Sequence, residues 1–393
     1  MVILGDKVNH TLSSQKRSLV VKVKNHDFSP FTGRHAMLVK HAPDKINPKA
    51  EFYITASMSL FEELKASGVK SLLIPESLSH IEAGDIIRLS FGDNILRILV
   101  KRRHRQNAFL LTERCNNWCI MCSQPPKEVD DSYIVNDVMD AIPLIDQETR
   151  EIGFTGGEPT LLGEDFFRLI KATKNYLPKT SLHILSNGRS FSNETFAKKT
   201  GEIAHHDLMI GIPVYSDNSA DHNYVVQANA FEETIDGVYN LKRNKVKTEI
   251  RVVLHSATYE RLPNLARFIT RNLTFVDQVV LMGLEAMGFG KSNFQSLWVR
   301  PDLLIPKVNQ AIAILHSARI KTMIYNIPLC VLDNLSQSHA VRSISDWKNE
   351  YLPDCDPCSK KSECCGFFFS TKEQYKNLVK PFSGLASLVA NPT

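Results

Sequence analysis

The chain has 393 residues, 43% of them hydrophobic and 23% charged, an ordinary globular balance with length for two or three domains and a sizeable core. Its net charge of +5 permits a nucleic-acid partner without demanding one. The opening residues, Met1 to Asp6, hold no apolar core for a signal peptide, and no window reaches transmembrane length.

Residues 1–105 read as a small β-rich domain. Strand-like runs fall at 19–23, 36–39, 52–55, 72–74, 86–89 and 95–100, with a helix near 60–66, a pattern that suits a barrel. The dense basic run Lys101-Arg102-Arg103-His104-Arg105 lies between two domains and reads as a solvated linker. With no second basic stripe, it argues against a nucleic-acid partner. From 106 to about 320, strand and helix alternate. Strands are expected at 108–112, 151–154, 182–185, 208–214, 249–254 and 275–282, and helices at 132–144, 165–176, 193–204, 231–241, 261–270 and 301–318. Six alternations predict an α/β fold with a parallel sheet under helices and right-handed crossovers. Residues 321–393 form a cysteine-rich extension whose last segment, 380–393, is rich in small residues and reads as a frayed tail.

The eight cysteines fall into two tight groups rather than a spread disulfide framework, which points to a reducing cytoplasm. Cys115, Cys119 and Cys122 stand in C-x3-C-x2-C spacing directly after the first strand of the alternating region. Three soft thiolates on one loop favour an iron–sulfur cluster or zinc. The following Ser123-Gln124-Pro125-Pro126-Lys127 offers no fourth ligand, so one metal position stays open, as a catalytic site requires. One βα unit later comes Gly156-Gly157-Glu158-Pro159-Thr160. Paired glycines let a backbone pass close to a ligand, Glu158 supplies a carboxylate for an ammonium group, and Pro159 stiffens the turn. Alone, this stretch is only a strand-to-turn signal.

In this order and spacing the two motifs resemble the radical S-adenosylmethionine (SAM) superfamily, over residues 115 to about 282. The resemblance implies a partial (βα)6 TIM-like barrel in which Cys115, Cys119 and Cys122 hold three irons of a 4Fe-4S cluster. The open iron would chelate SAM through its amino and carboxylate groups, with Gly156, Gly157, Glu158 and Pro159 around the amino group. Met121 stands where the family usually has an aromatic residue; a thioether can also cover a flat ring. Active residues in such barrels sit at the C-terminal ends of the strands, which nominates several more. Ser186 and Asn187 could reach the SAM ribose or simply form a turn with Gly188. Arg251 could pair with SAM's carboxylate or make a structural salt bridge. Tyr215, Asp217, Asp221 and His222 could wall a substrate cavity, and Glu285 could face SAM or substrate. Tyr215 and Glu285 are the catalytic candidates.

The second group is Cys330, Cys355, Cys358 and Cys364, with Cys365 adjacent. Spacing alone allows zinc or an iron–sulfur cluster. The C-x2-C-x5-C core resembles the SPASM and twitch extensions of peptide-modifying radical SAM enzymes, which implies an auxiliary 4Fe-4S cluster on Cys330, Cys355, Cys358 and Cys364; Cys364 and Cys365 could exchange. The segments Asn326-Ile-Pro-Leu-Cys330, Ser345-Asp346-Trp347-Lys348-Asn349, Cys364-Cys365-Gly366-Phe367-Phe368 and Cys115-Asn-Asn-Trp-Cys119-Ile-Met-Cys122-Ser-Gln-Pro-Pro126 resemble His-Xaa-Ser system radical SAM maturases of the C type. That resemblance implies a ribosomally made precursor peptide with His-Xaa-Ser repeats, modified through a 5′-deoxyadenosyl radical, with a crosslink as the expected product. It also implies a second radical SAM protein, the B-type component, as heterodimer partner, and an external electron donor such as flavodoxin or ferredoxin. A radical SAM enzyme acting on a small molecule or RNA, and a non-catalytic cluster-bearing subunit, are the competing readings.

Overall fold

The computed structural model describes residues 4–25, 33–43, 45–104, 106–345 and 348–383. Residues 1–3, Arg105, Asp346, Trp347 and the tail 384–393, all used above, lie outside the described residues.

The N-terminal region builds one eight-stranded sheet. Its strands are β1 (Gly5–Lys7), β2 (Asn9–His10), β3 (Ser18–Asn25), β4 (His35–Leu38), β5 (Tyr53–Thr55), β6 (Ser71–Leu73), β7 (Ile86–Ser90) and β8 (Ile95–Val100). They lie in the order β1-β8-β7-β3-β4-β5-β6-β2. Only Val8 separates the two edge strands, so the sheet must curl until its ends meet there. β-Branched and apolar side chains (Val21, Val23, Ile54, Leu72, Ile87 and Leu89) fill the interior. The helix α1 (Met58–Ala66), capped by Ser57, turns Leu60, Phe61 and Leu64 inward. The strands β1 and β2 escape a sequence reading because Gly-Asp-Lys and Asn-His carry no β-forming signal.

The second sheet has seven parallel strands in chain order: β9 (Asn107–Leu110), β10 (Glu151–Thr155), β11 (Ser181–Leu185), β12 (Leu208–Pro213), β13 (Lys247–Leu254), β14 (Gln278–Gly283) and β15 (Thr322–Tyr325). Helices α2 (Tyr133–Ala141), α3 (Glu164–Tyr176), α4 (Glu194–Glu202), α6 (Phe231–Arg243), α7 (Leu262–Asn272) and α10 (Pro301–Ser317) supply the crossovers. Neighbours in sequence pair in space throughout, and β9 and β15 are the edge strands, β15 touched on its outer side by a single bridge from Ile324 to Ala340, so the barrel is only partly closed. The expected six strands become seven: β15 pairs parallel to β14, from Val279↔Thr322 to Met282↔Tyr325. Four residues following a long helix are too short a run to announce a strand. Within residues 106–320 three further helical pieces appear that the periodicity does not predict: α5 (Ser219–Val226), α8 (Gly288–Ser292) and α9 (Phe294–Leu297). The sequence of α5, Ser-Ala-Asp-His-Asn-Tyr-Val-Val, shows no apolar stripe at helical period.

Strands alternate between lumen and helix layer. On β13, Ile250, Val252 and Leu254 join the core against α6, α7 and α10, with Ile210, Ile212, Val238, Leu265 and Val308. Glu249, Arg251 and Val253 take the opposite, lumen face. The two sheets meet across α2, where Asp137 accepts from Arg88 and Ser18, and Asp140 takes a two-pronged contact from Arg34. After β15 come two short antiparallel strands, β16 (Asn349–Glu350) and β17 (Phe367–Phe368). No helix among the described residues is long and apolar enough to cross a membrane.

Candidate active site

The chain leaves β9 at its C-terminal end and enters the cysteine loop under restraint from several elements. Asp131, buried just before α2, accepts from Thr112 Oγ1 at 2.7 Å, the Glu113 N–H at 2.6 Å and Arg114 Nε at 3.2 Å. The carbonyls of Val225 and Val226, at the end of α5, accept from the Ile120 and Trp118 N–H groups, each at 3.0 Å. Arg189 Nη1 donates to the Asn116 carbonyl at 2.7 Å, and the Asn293 side chain to the Ile120 carbonyl at 2.8 Å. At the far end, the Phe289 N–H of α8 donates to the Cys122 carbonyl at 2.8 Å. Gly288 permits this approach: it sits at φ +53°, and a Cβ there would lie 2.6 Å from that same carbonyl. The spaced glycines Gly288 and Gly290 were the sequence signal for this close pass. Nothing in the position of Asp131 or Arg189 along the chain announces these contacts.

The three thiols share one environment. Burial pushes the Cys115 thiol up to about 11, with Glu158 and Cys122 adding to the rise. Burial also raises Cys119, assisted by Cys122 and Cys115. Three thiols that disfavour each other's ionisation form a donor set that a cationic group would neutralise, which fits a thiolate-bound cluster. Among the described residues no three His, Cys, Asp or Glu side chains converge as the ligands of one metal ion must. Three thiolates each on its own iron need no common point.

The stretch after β10 lies against this loop as a strap. The Gly157 N–H donates to the Thr112 carbonyl at 2.7 Å and the Glu158 N–H to the Arg114 carbonyl at 2.8 Å. A Cβ on Gly157 would stand 2.1 Å from the Arg114 oxygen. Glu158 is 0% exposed. Its Oε1 accepts from Thr160 N–H (3.0 Å), Thr160 Oγ1 (2.7 Å) and Ser186 Oγ (2.8 Å), and its Oε2 from the Asn187 N–H at 2.5 Å. The carboxylate thus faces protein donors, and an ammonium group could reach it only through Oε2. Pro159 opens the short 3-10 turn Pro159–Leu162.

Ser186 and Asn187 are also spent inside the protein. Ser186 Oγ bridges Glu158 and the Gly188 N–H, while Asn187 Nδ2 donates to Asn116 Oδ1 of the cysteine loop at 2.6 Å. They tie the end of β11 to strap and loop. Arg251 Nε lies 3.2 Å from Glu249 Oε1 and 3.3 Å from Met282 Sδ, inside the lumen. It is the structural ion pair that the sequence allowed. Burial alone would raise Glu249, but His183, Arg251 and Gln278 around its carboxylate bring it below the usual range.

The four residues expected after the fourth strand divide. Tyr215 and His222 turn in: the Tyr215 phenol is raised by burial with Cys119 and Cys122 nearby, and its ring centroid is 5.9 Å from His222 and 6.4 Å from His255. Burial pushes both histidines down to about 4, so they are neutral near pH 7. Asp217 and Asp221 turn out instead, to Arg261 at 2.7 and 3.3 Å, because a guanidinium waits there at the start of α7. Glu285 pairs with Lys348 at 3.0 Å, fastening the C-terminal segment to the end of β14. Tyr215, His222, Met121 and Leu284 close over the loop; His255, beside them, went unread.

The second cysteine group surrounds a pocket lined by Cys330, Cys355, Cys358 and Cys364 and closed by Tyr351, Phe367 and Phe382. Cys365 does not line it; it packs with Ile344 and Phe368. Backbone N–H groups of Leu329 and Gly366 point at Cys364 Sγ, each at 3.4 Å, and that of Phe382 at Cys358 Sγ at 3.4 Å. The Cys365 thiol and these amides pull Cys364 down to about 6, whereas burial pushes Cys330 up to about 11. Four thiols around an apolar hollow, two of them already receiving N–H groups, suit a fully cysteine-ligated cluster.

A cysteine loop and a glycine strap meeting at the C-terminal ends of a partly closed parallel barrel define the class. Residues 109–269 match the Radical SAM superfamily, so this part of the chain is a radical SAM domain. Three solved structures resemble it. Streptococcus suis SuiB bound to S-adenosylmethionine shares 17% identity over 57% of this chain and 52% of its own, with a TM-score of 0.43. Native anSMEcpe with bound AdoMet shares 17% over 53% and 59%, at 0.43. A radical SAM methyltransferase from Sphaerobacter thermophilus shares 12% over 69% and 82%, at 0.42. The match spans about half the length of SuiB. A comparison with curated proteins finds no match.

Proposed function

We propose that this chain is a radical SAM maturase that modifies a ribosomally made precursor peptide with His-Xaa-Ser repeats, acting with a second radical SAM protein of the B type and an external flavodoxin- or ferredoxin-like donor. The observation that carries the reading is the pairing, in one chain, of an open three-thiol loop at the barrel mouth with a separate four-thiol pocket. Sequence likeness to C-type maturases around both groups supports this choice of substrate.

Cys115, Cys119 and Cys122 would hold the SAM-binding 4Fe-4S cluster, with Gly156, Gly157 and Glu158 beside SAM. When bound, cluster and SAM together supply a 5′-deoxyadenosyl radical able to take a hydrogen atom from the peptide. The chain's own residues shape that event. Met121 and Tyr215 pack with Cys119 and Ile120 of the loop, and His222 and His255 lie buried against Tyr215; side chains so packed would limit water and stray hydrogen donors near a reactive carbon. The two imidazoles, held neutral by burial, add no positive charge to the site. Cys330, Cys355, Cys358 and Cys364 would hold an auxiliary 4Fe-4S cluster, suited by complete ligation to accept the electron left on the peptide.

Anaerobic purification should yield about seven to eight irons per chain, as two four-iron clusters. Replacing Cys115, Cys119 and Cys122 together by Ala should remove about half and abolish 5′-deoxyadenosine formation. Replacing Cys355 and Cys358 should spare SAM cleavage but lose the mass change on a co-expressed His-Xaa-Ser peptide. Stoichiometric zinc in the second pocket, or SAM cleavage by the triple variant, would overturn the reading.

A further inference from the structure

Each large sheet leaves a strand edge open, and two of those edges line the same cleft. β9 pairs only with β10, and β1 only with β8. Between them lies a cleft of about 510 Å³ walled by β1, β9, Arg97 of β8 and Tyr133 of α2. A free strand edge presents a row of unpaired N–H and C=O groups and accepts another extended chain unless something blocks it. Neither edge contains proline or a bulge; β9 reads Asn-Ala-Phe-Leu and β1 Gly-Asp-Lys, although the Lys7 N–H is taken by Asp6 Oδ1 at 2.7 Å, which leaves β9 the freer edge.

The charges on the walls select the visitor. Arg88 and Asp137 are paired with each other, and Asp6 accepts from Ser77 Oγ at 2.6 Å. Lys7 and Arg97 are exposed and have no ion-pair partner among the described residues; with the Asp6 carboxylate beside them, the cleft carries one surplus positive charge. Backbone edges recognise peptide groups, and the surplus recognises carboxylates.

We infer that the cleft between β1 and β9 binds an extended, acidic segment of a peptide, which adds to an open edge as a strand and pairs its carboxylates with Lys7 and Arg97. This rests on the peptide-substrate reading above, the bound segment being a part of the precursor apart from the modified residues. Its placement is useful: β9 runs straight into the cysteine loop, with Leu110 five residues before Cys115. A segment held on β9 delivers the adjoining peptide toward the barrel mouth.

The probe is a fluorescein-labelled octapeptide, Thr-Glu-Val-Glu-Thr-Glu-Val-Glu, titrated into the full chain and read by anisotropy. The acidic peptide should bind at least tenfold tighter than its lysine counterpart and than the same peptide N-methylated at alternate amides. Lys7→Glu with Arg97→Glu should weaken it tenfold or more, with an unchanged melting curve. Amide exchange at residues 5–7 or 107–110 should slow in its presence. Equal binding of the acidic, basic and N-methylated peptides, no binding at all, or unchanged affinity in the double variant overturns the inference. So does full protection of both edges without peptide, which would show the cleft already filled by the chain itself. The N-methylated comparison uses wild-type protein and stands even if the double variant misfolds. None of these readings needs SAM, iron or turnover, so they decide the cleft separately from the maturase reading, which fails on peptide mass alone.

Discussion

Glu158 holds a carboxylate out of contact with solvent, a position that is costly unless donors replace the lost water. Here four donors from Thr160, Ser186 and Asn187 do so. Glu158→Gln keeps the shape but turns one acceptor oxygen into an amide NH2 that must face an N–H or O–H already pointing at it. Leaving one such buried group unsatisfied costs about 1–3 kcal/mol. The SAM-free variant should therefore lose about that much stability in chemical denaturation, with its iron content unchanged because Glu158 is no ligand. An unaltered denaturation midpoint would mean that the donors rearrange freely, and that the strap is not held by this residue.

At the scale of elements, the strap after β10 and the loop after β9 behave as one unit. Two backbone hydrogen bonds join them, and Gly157 lies so close that a Cβ would meet backbone atoms of Arg114 at 2.1 and 2.5 Å. Backbone cannot swing aside as a side-chain tip can, so Gly157→Ala must push strap and loop apart. A displacement of this order around reacting groups commonly costs about a hundredfold in rate. We expect 5′-deoxyadenosine formation by the reconstituted variant to fall at least tenfold while far-ultraviolet circular dichroism stays native. Wild-type turnover in Gly157→Ala would show that the contact relaxes without consequence.

For the whole molecule, the contact between the N-terminal sheet and the barrel runs through α2. Arg88 and Asp137 are each 7% exposed and are bonded across it, with Ser18 also on Asp137. Removing one partner of a buried pair strands the other charge, at about 3–5 kcal/mol. Asp137→Ala should lower the melting temperature and split a single unfolding transition into two, the N-terminal sheet separating from the barrel. Because α2 begins two residues after Asp131, which clamps the cysteine loop, the same variant should lose iron from the first cluster faster in air. A single transition at the wild-type temperature would show that the pair contributes nothing to docking.

What could be read along the chain was what depends on neighbours in sequence. The spacing of Cys115, Cys119 and Cys122, the glycine pair before Glu158 and the strand–helix alternation are local patterns, set by covalent spacing and periodicity. They were enough to place cysteine loop and strap at strand ends and to expect a parallel sheet. Which partner each polar group chose was not local. Tyr215 and Asp217 are two residues apart, yet one faces Cys119 and the other Arg261; Ser186 and Asn187 meet Glu158 rather than open space; Arg251 meets Glu249. Adjacent Cys364 and Cys365 are separated only by the packing that points one into the pocket and the other against Ile344 and Phe368. β15 exists because β14 offered an edge, and the two open edges share a cleft only because α2 brings the sheets together. The sequence by itself determined which groups this protein carries and how they are spaced. Only the tertiary structure decided which of them face one another, because burial, ion pairing and sheet edges depend on distances through space that no spacing along the chain records.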